Sequence, residues 1–390
     1  MIMIGIAKAE IDPVVLEEVK QGKAGTILLF EKNIPKTNSY AGLKKILYTY
    51  QQSAPIPLFI SIDQEGGRVN RLKEKYGFPR SISAAQMGKA KSLDSVRYYG
   101  ASTASTLAGL GFNINFAPVV DVAVNPENPI IAKVERSFSA NEDSVALMAS
   151  AFIEEHRKVG VLTALKHFPG HGSSKDDTHL GMADVTDTWS ERELKPYSTM
   201  IASGLVDAIM TSHIVNKKLD QSGLPGTLSK DVLDGVLRKK LGYNGVVIWD
   251  DMQMLAITKN YGFEEAIKLA INAGVDILCF SNNIAGSEAR TVDKVHEIIR
   301  RYVERGEIPV QRINESFTRV IKLKKSMDYH TRANELAETQ REVSALREKV
   351  ALLEASQTED LIIPVNDVKN PVSEEPEKSK KKKKNRKNRS

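Results

Sequence analysis

Short, almost uninterrupted apolar runs recur along the first part of the chain, each followed by a longer stretch of mixed polarity. They are residues 1–6 (MIMIGI), 24–30 (AGTILLF), 57–63 (PLFISID), 112–118 (FNINFAP), 162–168 (LTALKHF), 208–214 (AIMTSHI), 245–251 (GVVIWDD) and 276–281 (DILCFS). Their continuous apolar character predicts parallel strands buried on both faces, not half-exposed alternating ones. The segments between them are long enough for crossover helices, for example 142–159 and 230–240. Eight strand–helix units ending near residue 325 predict a (β/α)₈ barrel. A doubly wound open sheet is the alternative.

The polar residues fall where a barrel carries chemistry. Asp63, Lys166 with His167, His213, and Asp250 with Asp251 stand at or near the C-terminal ends of the third, fifth, sixth and seventh runs. Barrels build their sites at that face. The richest stretch is Lys166–His179, KHFPGHGSSKDDTH, which packs three His and two Asp into a Pro/Gly-broken loop directly after an apolar run. Titratable groups on such a loop point to chemistry more than to packing.

The pattern changes after a last amphipathic helix, expected over Val310–Lys325. Leu336, Val343, Leu346, Val350 and Leu353 lie at a/d heptad spacing, which predicts a short coiled coil or a single amphipathic helix. Residues 358–377 are rich in Pro, Glu and Ser, and 378–390 (KSKKKKKNRKNRS) is a basic block; both are expected to be disordered. The expected organisation is a barrel over 1–326, a helical segment over 327–357 and a Lys-rich tail over 358–390.

Charge follows from that tail. The chain carries a formal +6, but the last thirteen residues hold nine Lys and Arg and no acid, so residues 1–377 carry −3. The body is mildly acidic, and the tail alone is suited to anionic surfaces such as nucleic acid or acidic lipid. One cysteine, Cys279, allows no internal disulfide, which suits the cytoplasm. The N-terminal run has no basic segment before it and is short for a signal sequence. The chain as it stands is therefore expected to be cytoplasmic, with an exported form possible were a signal to precede it. No apolar run reaches the length of a membrane span.

Five motifs, in order, carry a resemblance: Asp63-Gln64-Glu65-Gly66-Gly67-Arg68-Val69-x-Arg71, Arg136-Ser137-Phe138, Lys166-His167-Phe168-Pro169-Gly170-His171-Gly172, Asp177-x-His179 and Asp250-Asp251-Met252. Together they resemble glycoside hydrolase family 3, and within it the single-barrel β-N-acetylglucosaminidase branch. The resemblance covers roughly residues 2–325. It implies a retaining exo-glycosidase that removes terminal β-linked N-acetylglucosamine, with oligosaccharides or muropeptides as substrates and no metal or organic cofactor. It implies Asp250 as the nucleophile and His179, supported by Asp177, as the acid/base. Asp63, Arg71, Arg136, Lys166 and His167 would bind sugar hydroxyls, and Met210 and His213 would line the pocket. Arg68 is expected to brace its loop, and Asp121 to support the site from behind.

Each residue also has a plainer reading. Asp250 could serve as a helix N-cap after its strand, and His179 could be an exposed loop histidine. His167 and His171 have the spacing of a helical metal pair, but Pro169 and Gly170 between them disfavour a helix, and no HExxH glutamate is present. Two departures from the family pattern stand out. Trp249 precedes the nucleophile where a small hydroxyl residue is usual; alternation turns it away from the lumen. Glu135 precedes Arg136 where a smaller residue is usual. The rival functions are a β-glucosidase or a glycosyl phosphorylase of the same family. From another class comes a non-catalytic sugar-binding module tethered by the coiled coil, itself a candidate for self-association through 336–353, and by the basic tail.

Overall fold

The structure, a computed structural model, describes residues 1–90, 92–175, 183–251, 257, 260–282, 292–327 and 343–350. The chain divides into two units, Met1–Tyr329 and His330–Ser390.

Among its described residues the first unit carries ten strands: β1 (Ile2–Gly5), β2 (Thr26–Leu29), β3 (Phe59–Ile62), β4 (Ile114–Asn115), β5 (Leu162–Phe168), β6 (Ala183–Asp184), β7 (Ala208–Thr211), β8 (Ile214–Val215), β9 (Val246–Ile248) and β10 (Leu278–Phe280). Eight pair in parallel in the order β10-β1-β2-β3-β4-β5-β7-β9. At the edges Ile248 bridges to Ile277, and the Trp249 amide donates to the Ile277 carbonyl at 2.9 Å, so the sheet curls into a barrel. All eight expected strand runs take part. The fourth run gives only the two paired residues of β4, because Pro118, three positions on, has no amide to continue the ladder. β6 and β8 form a separate two-stranded parallel sheet.

The helices form where the sequence places them. Glu142–Lys158 begins at Asn141, whose side chain accepts from the Ser144 amide at 2.9 Å, and Val310–Lys325 closes the barrel unit. Among the described residues no helix is long and apolar enough to cross a membrane.

Strand alternation sorts the apolar residues into two cores. Ile4, Ile27, Leu29, Ile60, Leu165, Ile209, Val247 and Leu278 face outward to the helices. Met3, Leu28, Phe59, Ile114, Leu162, Ala164, Met210, Val246, Ile248 and Cys279 fill the lumen, joined by Val320 and Met327. The N-terminal face is closed by charged side chains turned to structural use. Arg238, Arg312 and Arg319 converge on buried Asp276 at 3.0, 2.7 and 3.1 Å. Lys324 donates to the carbonyls of Gly25 (2.8 Å) and Pro57, with its ammonium 4.8 Å from the Phe59 ring centroid.

In the second unit residues 343–350 are helical, and Val343, Leu346 and Val350 are exposed on it. The rest of the expected coiled coil, including Leu336 and Leu353, and the whole Lys-rich tail lie outside the described residues.

Candidate active site

The alternation that fills the lumen also aims the polar residues. The inward rows Leu28–Phe30, Phe59–Ser61–Asp63, Leu162–Ala164–Lys166, Val246–Ile248–Asp250 and Ile277–Cys279–Ser281 each end at the C-terminal mouth of the barrel. Phe30, Asp63, Lys166, Asp250 and Ser281 line one cavity there, of about 240 Å³, together with Glu65, Arg71, Arg136, His167, His171 and Met210.

One wall is an ion network. Lys166 is buried, and its ammonium lies 2.6 Å from both Asp63 Oδ1 and Glu65 Oε1. Burial works against the Lys166 charge, but Asp63 and Glu65 outweigh it and hold its pKa above the ordinary lysine value. Arg136 grips Glu65 with two nitrogens: Nε donates to Oε2 and Nη2 to Oε1, both at 2.8 Å. Glu65 is buried, yet Arg136 and Lys166 hold its carboxyl well below the usual carboxylate range. Arg71 reaches Asp63 Oδ2 at 3.7 Å and lies over the Phe30 ring, 5.5 Å from its centroid. The loop that brings Asp63, Glu65 and Arg71 together depends on Gly66: its φ is +94°, and a Cβ there would stand 2.2 Å from the Ile82 carbonyl oxygen.

A second carboxylate orders the KHFPGHG turn. Asp121, fully buried, accepts from His167 Nδ1 at 2.6 Å and from the amides of His167 (3.2 Å) and His171 (2.8 Å). His167 Nε2 faces Arg136 Nη2 at 3.1 Å, and arginine can only donate. The network therefore places a proton on His167 Nδ1, in the bond to Asp121. Burial opposes the Asp121 charge, but His167 and His171 keep its pKa lowered. His171 is itself pushed down to about 4, chiefly by burial. Strict alternation would turn His167 outward. The register of β5 against β7 shifts between Leu165 and Phe168, and His167 lines the cavity.

At the opposite wall Asp250 follows β9 on the inward row, and its Oδ1 accepts from the Asp251 amide at 2.8 Å. Asp251 is tied to Ser281 through its carboxylate and to His213 Nε2 through its carbonyl, 3.3 Å away. Trp249 sits in the outer core, where it meets the His213 ring edge-on with centroids 6.2 Å apart, and it also contributes to the cavity lining.

The structure places the expected residues as follows. Asp63, Arg71, Arg136, Lys166, His167, Met210 and Asp250 are brought together around one cavity. His213 is not among its lining residues: with Ile209 and Thr211 it belongs to the outward row of its strand, and it braces the Asp250–Asp251 turn from behind. Arg68 is exposed and outside the lining. Asp177 and His179 lie outside the described residues. Glu65 was not singled out from the sequence, although it stands inside the Asp63–Arg71 motif. Among the described residues no group of three His, Cys, Asp or Glu side chains is placed to hold a metal ion.

Comparison with known proteins shows the family. The model of the glycosyl hydrolase family 3 N-terminal domain matches residues 1–323. A beta-hexosaminidase of Tolumonas auensis is 34% identical over 293 residues, covering 74% of this chain and 84% of that protein. Beta-hexosaminidase A of Pseudoalteromonas piscicida is 31% identical and covers 82% of this chain, which in turn spans 56% of its length. Among solved structures, a glycoside hydrolase family 3 beta-N-acetylglucosaminidase from Paenibacillus sp. str. FPU-7 superposes with a TM-score of 0.76 at 32% identity, over 84% of this chain and 61% of that one. The chain belongs to glycosyl hydrolase family 3, alongside that family's beta-hexosaminidases.

Proposed function

We propose that this chain is a retaining exo-β-N-acetylglucosaminidase that removes terminal β-linked N-acetylglucosamine, with peptidoglycan fragments as its substrates. The observation that carries the reading is the placement of Asp250: an inward carboxylate at the end of β9, on the cavity whose facing wall holds Asp63, Arg71 and Lys166. The beta-hexosaminidase relatives support the choice of sugar. The roles of Asp177 and His179 rest on the sequence resemblance.

In this reading Asp63, Arg71, Arg136, Lys166 and His167 take the hydroxyls of the non-reducing sugar, as charged donors and acceptors set stereochemistry in other concave sites. Met210 supports the sugar from the lumen. The Asp250 carboxylate attacks the anomeric carbon. As that bond forms, the bond from carbon to the glycosidic oxygen breaks, and the oxygen takes a proton from His179. Water then attacks the same carbon and loses its proton to neutral His179. The ester to Asp250 breaks, and the sugar leaves with its β configuration retained. Asp177 holds the His179 tautomer and favours its charged form.

The test is hydrolysis of 4-nitrophenyl β-N-acetylglucosaminide against the β-glucoside, with Asp250→Ala beside the native chain. Release from the acetamidosugar, abolished by the substitution, supports the reading. Preference for the glucoside overturns the assignment of sugar. Equal activity of Asp250→Ala overturns the nucleophile.

The second unit has a separate role in this account. Val343, Leu346 and Val350, exposed along one helical stripe, favour self-association through residues 336–353, and the Lys-rich tail favours contact with anionic surfaces. A shift from dimer to monomer on Leu346→Lys would support the first. Salt-dependent vesicle binding lost on removing 378–390 would support the second.

A further inference from the structure

The turn that leaves β5 is held from two sides before it reaches the segment carrying Asp177 and His179. On one side stand Asp121, which takes the His171 amide, and Asn128, whose Nδ2 donates to the carbonyls of His171 (2.7 Å) and Gly172 (3.1 Å). Asn125 Nδ2 adds a bond to the Ser174 carbonyl at 2.8 Å. On the other side is the short helix Glu191–Leu194 with the residues just before it. Trp189 Nε1 donates to the Pro169 carbonyl at 3.2 Å, and Glu193 Oε2 accepts from the amides of Gly172 (2.8 Å) and Ser173 (3.3 Å).

Glu193 has no place in the chemistry proposed above, and it does not line the cavity. It is nevertheless 1% exposed, and burying a carboxylate is costly unless its bonds matter. Burial pushes its pKa up to about 7. Each backbone amide has one proton to give, so Glu193 takes the whole donor capacity of Gly172 and Ser173. The turn runs close to its neighbours on both sides: a Cβ on Gly172 would stand 1.7 Å from the Val122 carbonyl oxygen, and one on Gly170 would stand 2.6 Å from Glu193 Cβ. The backbone is wedged between the β4 side and Glu193, and Ser173 is six positions before His179.

We propose that Glu193 is a positioning residue for acid/base catalysis, fixing through the Gly172 and Ser173 amides the stem from which Asp177 and His179 extend. The inference rests on the acid/base reading of the previous section. Loss of the two bonds frees the stem and misplaces the proton donor, leaving the Asp250 wall, built on β9, unaffected. Misplacement of a catalytic group by about 1 Å costs about 10²-fold.

The test compares kcat/KM for 2,4-dinitrophenyl and phenyl β-N-acetylglucosaminides. Dinitrophenolate departs without a proton, whereas phenolate needs one. Glu193→Ala is expected to lose about 10²-fold more on the phenyl than on the dinitrophenyl substrate. Glu193→Gln, which keeps an acceptor oxygen, is expected to stay within a few-fold of the native chain on both. Should Glu193→Ala fail to fold, Glu193→Asp draws the acceptor back by one methylene and is expected to show the same selective loss. Equal losses on the two substrates would mean a merely structural role and overturn the inference. His179→Ala separates the two claims. If it is steeply selective and Glu193→Ala or Glu193→Asp is not, only this inference falls; if His179→Ala is itself unselective, the acid/base reading falls and this inference with it.

Discussion

Lys166 Nζ lies 2.6 Å from Glu65 Oε1, and both side chains are almost wholly withdrawn from water. With Asp63 at the same distance, one buried cation stands between two carboxylates. Such a group holds its shape only while all members are present, because removing one partner leaves an uncompensated buried charge. Lys166→Met is expected to cost about 3–5 kcal/mol of stability by denaturant unfolding. In what still folds, kcat/KM falls, because Asp63 and Glu65 lose the cation that orients them.

Asp121 lies 2.6 Å from His167 Nδ1 and takes two backbone amides besides. Asp121→Asn keeps the shape and removes the charge. Hydrogen bonds to charged groups are worth about 1.5–3 kcal/mol, so a stability loss of that size is expected. Because His167 and Arg136 belong to the wall proposed to hold the sugar, KM should rise more than kcat falls. Steady-state kinetics at matched folding checks it.

Lys324 gives a dependence on pH. Burial lowers its pKa from 10.5 to about 7, so the folded chain releases a proton that the unfolded chain keeps. Its contribution to stability is thus fully present above the unfolded value and is lost as pH falls through the folded one. Between pH 7 and 9 the native chain should gain about 2 kcal/mol relative to Lys324→Met. Urea unfolding of both proteins at the two pH values measures that difference. A flat difference would mean that the ammonium is already satisfied by the Gly25 and Pro57 carbonyls.

Trp249 is the chain's departure beside Asp250; it packs in the outer core with Val247 and against His213, and it also reaches the lining of the cavity. Trp249→Thr, closer to the usual small hydroxyl residue, should therefore leave a cavity and cost about 3–5 kcal/mol. Steady-state kcat and KM at a temperature where the variant is folded should change less than threefold. A tenfold loss of kcat would mean that the indole sets the position of Asp250.

Much of this was legible in the chain because a buried parallel strand writes two signals at once. Its apolar run marks the strand, and its period of two assigns the face, so Asp63, Lys166 and Asp250 could be placed at one mouth. His213 was misplaced for the same reason: it stands an odd number of positions after Met210, and counting would have turned it outward. His167 breaks that count through the register shift of β5, which no local pattern announces. Glu65 and Glu193 are harder still. Their partners lie far along the chain, Arg136 and Lys166 for one and Gly172 and Ser173 for the other, and only the folded barrel brings them together. The acid residues looked like ordinary surface charges in sequence. Their burial is what makes them matter.

In the proposed mechanism Asp250 becomes covalently bound to the sugar. The most direct measurement is peptide mapping by mass spectrometry of protein quenched in acid during turnover of 2,4-dinitrophenyl β-N-acetylglucosaminide. One N-acetylglucosaminyl group is expected on the peptide containing Asp250, attached at that residue and missing from Asp250→Ala. Turnover with the adduct on another residue, or undiminished turnover by Asp250→Ala, would contradict it.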